Sequence, residues 1–292
     1  MASLKPKIGI IGGSGLYDIE GFGQRRKKTV NTPFGRPSDD FVVGRLNGVE
    51  VAFLPRHGQG HKILPSEINY RANIYAFKEL GVEKIISVGA VGSLKKELKP
   101  LDIVAIDQFV DRTNQARPTT FFGDGLAAHI SFAEPVCPQL RNVLYQTGKE
   151  LGLSIHNGGT YLNMEGPAFS TKAESLLYRS WGMDVVAMTN MNEARLAREA
   201  EICFALLAMV TDYDCWYEGE EAATVSVELI VQNLLKNAEN AKRLLKTVLP
   251  KAAKMKMNCN CQHALKDAII TNRASISSKV KKKLKPIIGK YL

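Results

Sequence analysis

Two rhythms of apolar and polar residues run through the chain. Short apolar runs that end in glycine or proline alternate with longer segments whose apolar residues recur every three or four positions. The first rhythm predicts buried strands, the second amphipathic helices. Residues 7–11 form an apolar run that meets Gly12-Gly13-Ser14-Gly15, a strand entering a glycine-rich turn. Residues 41–46 and 49–54 flank Asn47-Gly48, a pair that tolerates positive φ and so predicts a two-residue hairpin. Ser66 predicts a helix cap, with Ile68, Ala72, Tyr75 and Ala76 on one face up to about Leu80 and Gly81 behind them. Further strands are expected at 84–88, 103–106, 160–164, 184–189 and 203–211. Helices are expected from Pro138, with Leu140, Val143, Leu144 and Leu151 as its buried stripe, and at 170–181, 193–201 and 226–249. Strands alternating with helices, with a hairpin among them, predict an α/β fold: a single domain with a mixed central β-sheet flanked by helices. No internal repeat or linker interrupts residues 5–250.

Composition narrows the class. A chain of 292 residues, 45% hydrophobic, can bury a large core. No apolar run approaches the roughly 18 residues of a membrane span, and residues 1–7 lack the pattern of a secretory signal, so a cytoplasmic protein is expected. The net charge of +10 suggests nucleic acid until its distribution is considered. Arg273, Lys279, Lys281, Lys282, Lys283, Lys285 and Lys290 supply +7 with no acid among residues 273–292, leaving a nearly neutral body. A solvated terminal helix or a frayed end is expected there, and no nucleic-acid partner. Five cysteines do not make a disulfide scaffold. Cys259-Asn260-Cys261 has only His263 nearby, and Cys137, Cys203 and Cys215 are scattered, so no metal site is expected.

Five features at predicted strand ends carry chemistry. The Gly12–Gly15 turn fails the dinucleotide fingerprint, because Asp18 stands where its third glycine should be. Its N–H groups and the Ser14 hydroxyl suit an anion, as they would also suit a plain tight turn. Arg56-His57-Gly58 follows the hairpin; the Arg56 fork suits phosphate bidentately and His57 can donate beside it. Glu165-Gly166-Pro167-Ala168-Phe169 offers Glu165 as an acceptor for hydroxyls and Phe169 as a stacking face. Met188-Thr189-Asn190 adds a hydroxyl for an oxyanion. Asp212 and Asp214 share a side of the last strand; two such carboxylates repel, so one should hold a proton near neutral pH and protonate a leaving group.

Read together, Lys7-Ile8-Gly9-Ile10-Ile11-Gly12-Gly13-Ser14-Gly15-Leu16, Thr32-Pro33-Phe34-Gly35, Arg56-His57-Gly58, Glu165-Gly166-Pro167 and Ala208-Met209-Val210-Thr211-Asp212-Tyr213-Asp214-Cys215-Trp216 resemble the 5'-methylthioadenosine phosphorylases of the trimeric purine nucleoside phosphorylase family. The resemblance covers about residues 5–250. It implies a phosphorylase domain over 1–265, with 266–292 as a basic extension. It implies phosphorolysis of methylthioadenosine to adenine and 5-methylthioribose 1-phosphate, as in purine and methionine salvage, with phosphate as co-substrate and no metal or organic cofactor. It implies a homotrimer or dimer of trimers. Phosphate would be held by Ser14, Arg56, His57, the Ala90 backbone and Thr189. The nucleoside would meet Phe169, Glu165, Met188, Asp212 and Asp214, with Val227 and Ile230 around the methylthio group and His129 arriving from a neighbouring subunit. It also implies a Cys259–Cys261 disulfide in thermophilic members; a strained i, i+2 bridge in an ordinary cytoplasm leaves free thiols as the expectation.

The sequence departs from the family pattern in three places. Ser87-Val88-Gly89-Ala90 lacks the threonines expected before the alanine, Met191-Asn192-Glu193 lacks the proline, and Glu220-Glu221-Ala222-Ala223-Thr224 is one residue longer. The nearest alternative is a 6-oxopurine or methylthioinosine phosphorylase, where an amide would suit position 212 better than the acceptor Asp212. A nucleoside- or RNA-binding protein without catalysis is the alternative from another class.

Overall fold

The computed structural model describes residues 5–13, 16, 19–114, 116–218 and 227–292, with the side chains of 227–230 outside the description. Among these residues eleven strands join one mixed sheet, flanked by seven α-helices. At its centre β5 (Lys84–Ser93) lies between β1 (Ile8–Gly12) and β11 (Cys203–Asp212), parallel to both, and β4 (Val49–Pro55) runs parallel to β1 on the far side. The expected hairpin joins β3 (Phe41–Leu46) to β4, with Asn47 and Gly48 at φ 48° and 77°. Toward its C-terminal end β5 turns to pair with β10 (Val185–Ala187), which pairs in turn with β9 (Thr160–Met164).

β11 shows how the sequence builds two layers. Its first nine residues are buried. Phe204, Leu206, Ala208 and Val210 enter one core, while Cys203, Ala205, Leu207 and Met209 enter the other. A strand covered on both faces reads as a continuous apolar run. The first core is closed by α1 (Tyr70–Glu79) and α4 (Asn190–Glu199), the second by α2 (Pro138–Glu150) and α5 (Val227–Lys254).

Four expectations need correction. The helix expected from Ser66 starts at Asn69, whose side chain accepts from the Ala72 N–H. The strand expected to end at Val88 continues through the glycines to Ser93, since both β11 and β10 supply partners. β2 (Gly23–Lys28) escaped the apolar pattern because Gly-Gln-Arg-Arg-Lys-Lys is exposed throughout, a charged edge strand of the kind that blocks pairing with other chains. The basic segment is neither frayed nor a purely solvated helix. Ile276, Val280, Leu284, Ile287 and Ile288 are buried in the first core, and the Tyr75 hydroxyl donates to the Lys283 carbonyl at 2.8 Å. Its lysines are also used internally: Lys283 pairs with Asp124 at 2.9 Å and Lys290 with the buried Glu201 at 2.7 Å.

Candidate active site

β1, β4, β5 and β11 end on the same side of the sheet, and ligands of open α/β sheets collect at such ends. A cavity of about 400 Å³ opens there. Gly13 follows β1, Arg56 and His57 follow β4, Met188 and Thr189 follow β10, and Asp212 ends β11; all line it. Gly89, Ala90 and Gly92 of β5 form its floor, and Leu234, Asn237, Ala238 and Ala241 of α5 close one wall.

Arg56 is 2% exposed, and its charge is matched from below. Nε and Nη2 meet the Glu193 carboxylate at 2.5 and 3.3 Å, Nη2 also donates to Ser87 Oγ at 2.6 Å, and Nη1 to the Val88 carbonyl at 3.0 Å. Ser87 Oγ and Asn190 Nδ2 bond the same carboxylate at 2.7 and 2.9 Å. Burial alone would lower the Arg56 pKa, but Glu193 outweighs it and holds the guanidinium above its ordinary value. The forked edge expected to face phosphate is turned to Glu193 instead. What Arg56 offers the cavity is a fixed positive charge and the remaining Nη1 proton, rather than a bidentate clamp.

His57 departs from expectation in the same direction. Its Nδ1 lies 2.8 Å from the Ile63 carbonyl, which can only accept, so the proton sits on Nδ1 and Nε2 is an acceptor. Burial, and then the Arg56 charge, push its pKa down to about 4, so the ring is neutral. A neutral Nε2 acceptor suits the P–OH of a hydrogen phosphate. His61, unassigned by sequence, lines the same cavity and stacks on His57 with ring centroids 4.2 Å apart. Thr189 is the N-cap of α4, and its hydroxyl makes no capping bond. Its place at the positive end of a helix adds to the attraction for an anion.

The acidic side sits farther along β5. A Cβ on Gly89 would stand 3.9 Å from Arg56 Nη1, whereas one on Gly92 would stand 3.4 Å from Asp212 Oδ2 and 3.3 Å from the Asp214 Cβ. Three strand residues span about 10 Å, so cation and acids face different parts of one cavity. Burial pushes the Asp212 carboxyl up to about 6; the Thr211 hydroxyl, donating at 2.6 Å, opposes this and the Asp214 charge adds to it. Burial also raises Asp214, against the Ser175 and Ser170 hydroxyls. Loss of water, rather than the mutual repulsion expected from the sequence, is the chief cause. Asn233 and Asn237 of α5 donate to the Thr211 and Val210 carbonyls at 2.7 and 2.8 Å, fixing this end of β11.

The remaining assignments divide. Phe169, 62% exposed, and Met188 line the cavity mouth and wall, and Ala90 lines the floor. Glu165 does not line it: Oε1 accepts from Arg117 Nε at 2.9 Å and Oε2 from the Asn114 N–H at 3.0 Å. Arg117, missed by sequence, also donates to the Met188 carbonyl at 2.6 Å and positions that residue. His129 is exposed on the surface and does not line its own chain's cavity. Ser14 lies outside the described residues, as do the side chains of Val227 and Ile230 and the loop 220–224. Glu193, Ser87 and Asn190 carried one usable signal, a set of polar residues inside otherwise apolar elements.

A fixed cation beside a helix N-terminus, joined through one apolar-walled cavity to two carboxyls whose pKa burial raises, defines a site for an anion and a polar ring together, as group-transfer enzymes have. The chain belongs to the phosphorylase superfamily, which matches residues 7–250. It is similar to S-methyl-5'-thioadenosine phosphorylase of Geobacter sulfurreducens, 54% identical over 98% of this chain and 99% of that one. The Koribacter versatilis enzyme of the same name is 54% identical over 99% and 97%. Among solved structures, a methylthioadenosine phosphorylase from an antarctic soil metagenomic library superposes with a TM-score of 0.92 at 48% identity, covering 98% of this chain and 99% of that one. A Schistosoma mansoni adenosine/methylthioadenosine phosphorylase mutant in complex with methylthioadenosine superposes at 0.84 and 34% identity, over 93% and 100%.

Proposed function

We propose that this pentosyltransferase cleaves 5'-methylthioadenosine with inorganic phosphate, giving adenine and 5-methylthioribose 1-phosphate. The observation that carries the reading is the pair of sites along β5: Arg56 facing Gly89, and Asp212 and Asp214 facing Gly92, about 10 Å on. That spacing lets a nucleoside lie between a bound phosphate and a proton donor. Arg56, His57, the Ala90 backbone and Thr189 hold hydrogen phosphate beneath the sugar. As the C1'–N9 bond breaks, the sugar becomes cationic and phosphate oxygen forms the new bond to C1'. The departing adenine takes a proton at N7 from Asp212, which is left as a carboxylate and regains its proton from water. Asp212 also accepts from the 6-amino group, which favours adenine over a 6-oxopurine. Positioning and electrostatics carry the reaction, with no metal or organic cofactor in any step. Product analysis tests the reading: mass spectrometry should find equal amounts of adenine and a phosphorylated methylthioribose. Free methylthioribose would overturn it.

The cytoplasm is the proposed compartment, and a homotrimer, alone or paired, the proposed assembly. Its support is the exposed His129, which is absent from its own cavity and available to a neighbour's. Asp212→Asn chains mixed with His129→Ala chains, each strongly impaired on methylthioadenosine by itself, then dissociated and reassembled, should regain part of the activity because some shared sites are then wild type. Confirmed mixed assemblies without recovery would place His129 in service of its own chain.

A further inference from the structure

Far from the cavity, the fold brings four cysteines into one cluster. Cys203 opens β11, whose other end carries Asp212. Cys137 is the N-cap of α2, and its N–H donates to the Phe204 carbonyl at 2.8 Å. Cys259 and Cys261 lie beyond the end of α5, in and beside a short 3₁₀ turn. The Sγ atoms all lie within 4.8 Å of one another; Cys203 and Cys259 are 3.4 Å apart, and Cys137 and Cys259 3.7 Å. Cys137, Cys203 and Cys261 are buried and Cys259 is partly so.

We propose that these four residues bind one zinc ion as a structural tetrathiolate. Zinc–sulfur bonds of about 2.3 Å in a tetrahedron place the sulfurs roughly 3.8 Å apart, close to the 3.4 and 3.7 Å separations here and inside the 4.8 Å that bounds the whole cluster. Four ligands close the coordination shell, as structural sites require, and leave no open position for catalysis. Sulfur-only, tetrahedral ligation excludes magnesium and calcium, which take oxygen. Binding converts four thiols to thiolates and releases their protons, with no change in oxidation state. The complex carries two net negative charges, and Cys137 presents part of that charge to the positive end of α2. The expectation of no metal came from spacing: Cys137 and Cys259 are 122 positions apart and Cys203 and Cys259 56, so no local motif announced the site.

The ion would tie the start of β11 and the start of α2 to the segment after α5, from which the C-terminal residues run back to the first core. Its effect is on stability, since the length of β11, about 30 Å of strand, separates it from Asp212. The rival for the same sulfurs is a disulfide, with Cys259–Cys261 the pair implied by thermophilic relatives.

The test starts from the full chain purified under reducing conditions. Elemental analysis should find about one zinc per chain, and intact mass under denaturing conditions should show five reduced thiols. Co²⁺ substitution should give intense thiolate-to-metal charge-transfer bands and the visible bands of a tetrahedral ion. Cys259→Ser and Cys261→Ser should lose zinc and unfold at lower temperature while keeping the turnover of the wild type in the cold. If these variants fail to fold, the wild-type metal content and the Co²⁺ spectrum still decide. A chain that takes up neither Zn²⁺ nor Co²⁺ stoichiometrically when fully reduced, or whose mass shows disulfide-linked pairs in place of metal, overturns the proposal.

Discussion

Asp212→Asn lowers turnover on methylthioadenosine by about 10²-fold or more, the usual share of a general acid, and shifts preference toward 6-oxopurines. The same substitution stabilises the protein. Burial lifts the Asp212 pKa from 3.8 to about 6, so the folded state holds this proton more tightly than the unfolded chain does. The stability that this carboxyl supplies in its protonated form is fully present below about pH 4 and is lost as pH rises through about 6. A rise of that size corresponds to roughly 3 kcal/mol at most, less for a group that keeps some contact with water. Asparagine never ionises, so its advantage should be absent near pH 3.5, grow between pH 4 and 6, and stay level above. Chemical denaturation of both proteins at several pH values measures this. A variant less stable than wild type at pH 8, or one whose kinetics on both base types are unchanged from wild type, would contradict the role given to Asp212.

The second large effect concerns the group beneath the phosphate end. Arg56 and Glu193 are each about 3% exposed at their side chains, and removing one member of such a pair leaves the other charge buried and uncompensated. Glu193→Ala should therefore cost about 3–5 kcal/mol of stability. Glu193→Gln keeps hydrogen-bonding atoms beside Arg56 and Ser87 and should cost less. Urea denaturation of the three proteins supplies the comparison. A loss below about 1 kcal/mol for Glu193→Ala would mean that water or another group already neutralises Arg56.

The sequence was most legible where one physical rule acted alone. The Asn47-Gly48 hairpin, β9 and the apolar core of β11 follow from turn chemistry and period. It was least legible where a partner distant in sequence decides. β2 is a strand only because β3 offers it an edge, and residues 266–292 pack because Tyr75, Asp124 and Glu201 wait for them. The site divides the same way. Arg56, Thr189, Asp212 and Asp214 could be picked out at strand ends, each by its own chemistry. That Glu193 would take the Arg56 fork, that Arg117 would take Glu165, and that the Ile63 carbonyl would fix the His57 proton required coordinates. The cause of the raised Asp212 pKa was likewise hidden, because repulsion between two acids can be read from spacing while burial cannot.

The most direct test of the central claim is the initial rate of base release from 5'-methylthioadenosine, adenosine and inosine, each with and without inorganic phosphate. The account predicts release of adenine from methylthioadenosine that depends on phosphate, is faster than from adenosine, and far exceeds any release from inosine. Base release that proceeds without phosphate, or that is fastest from inosine, would contradict it.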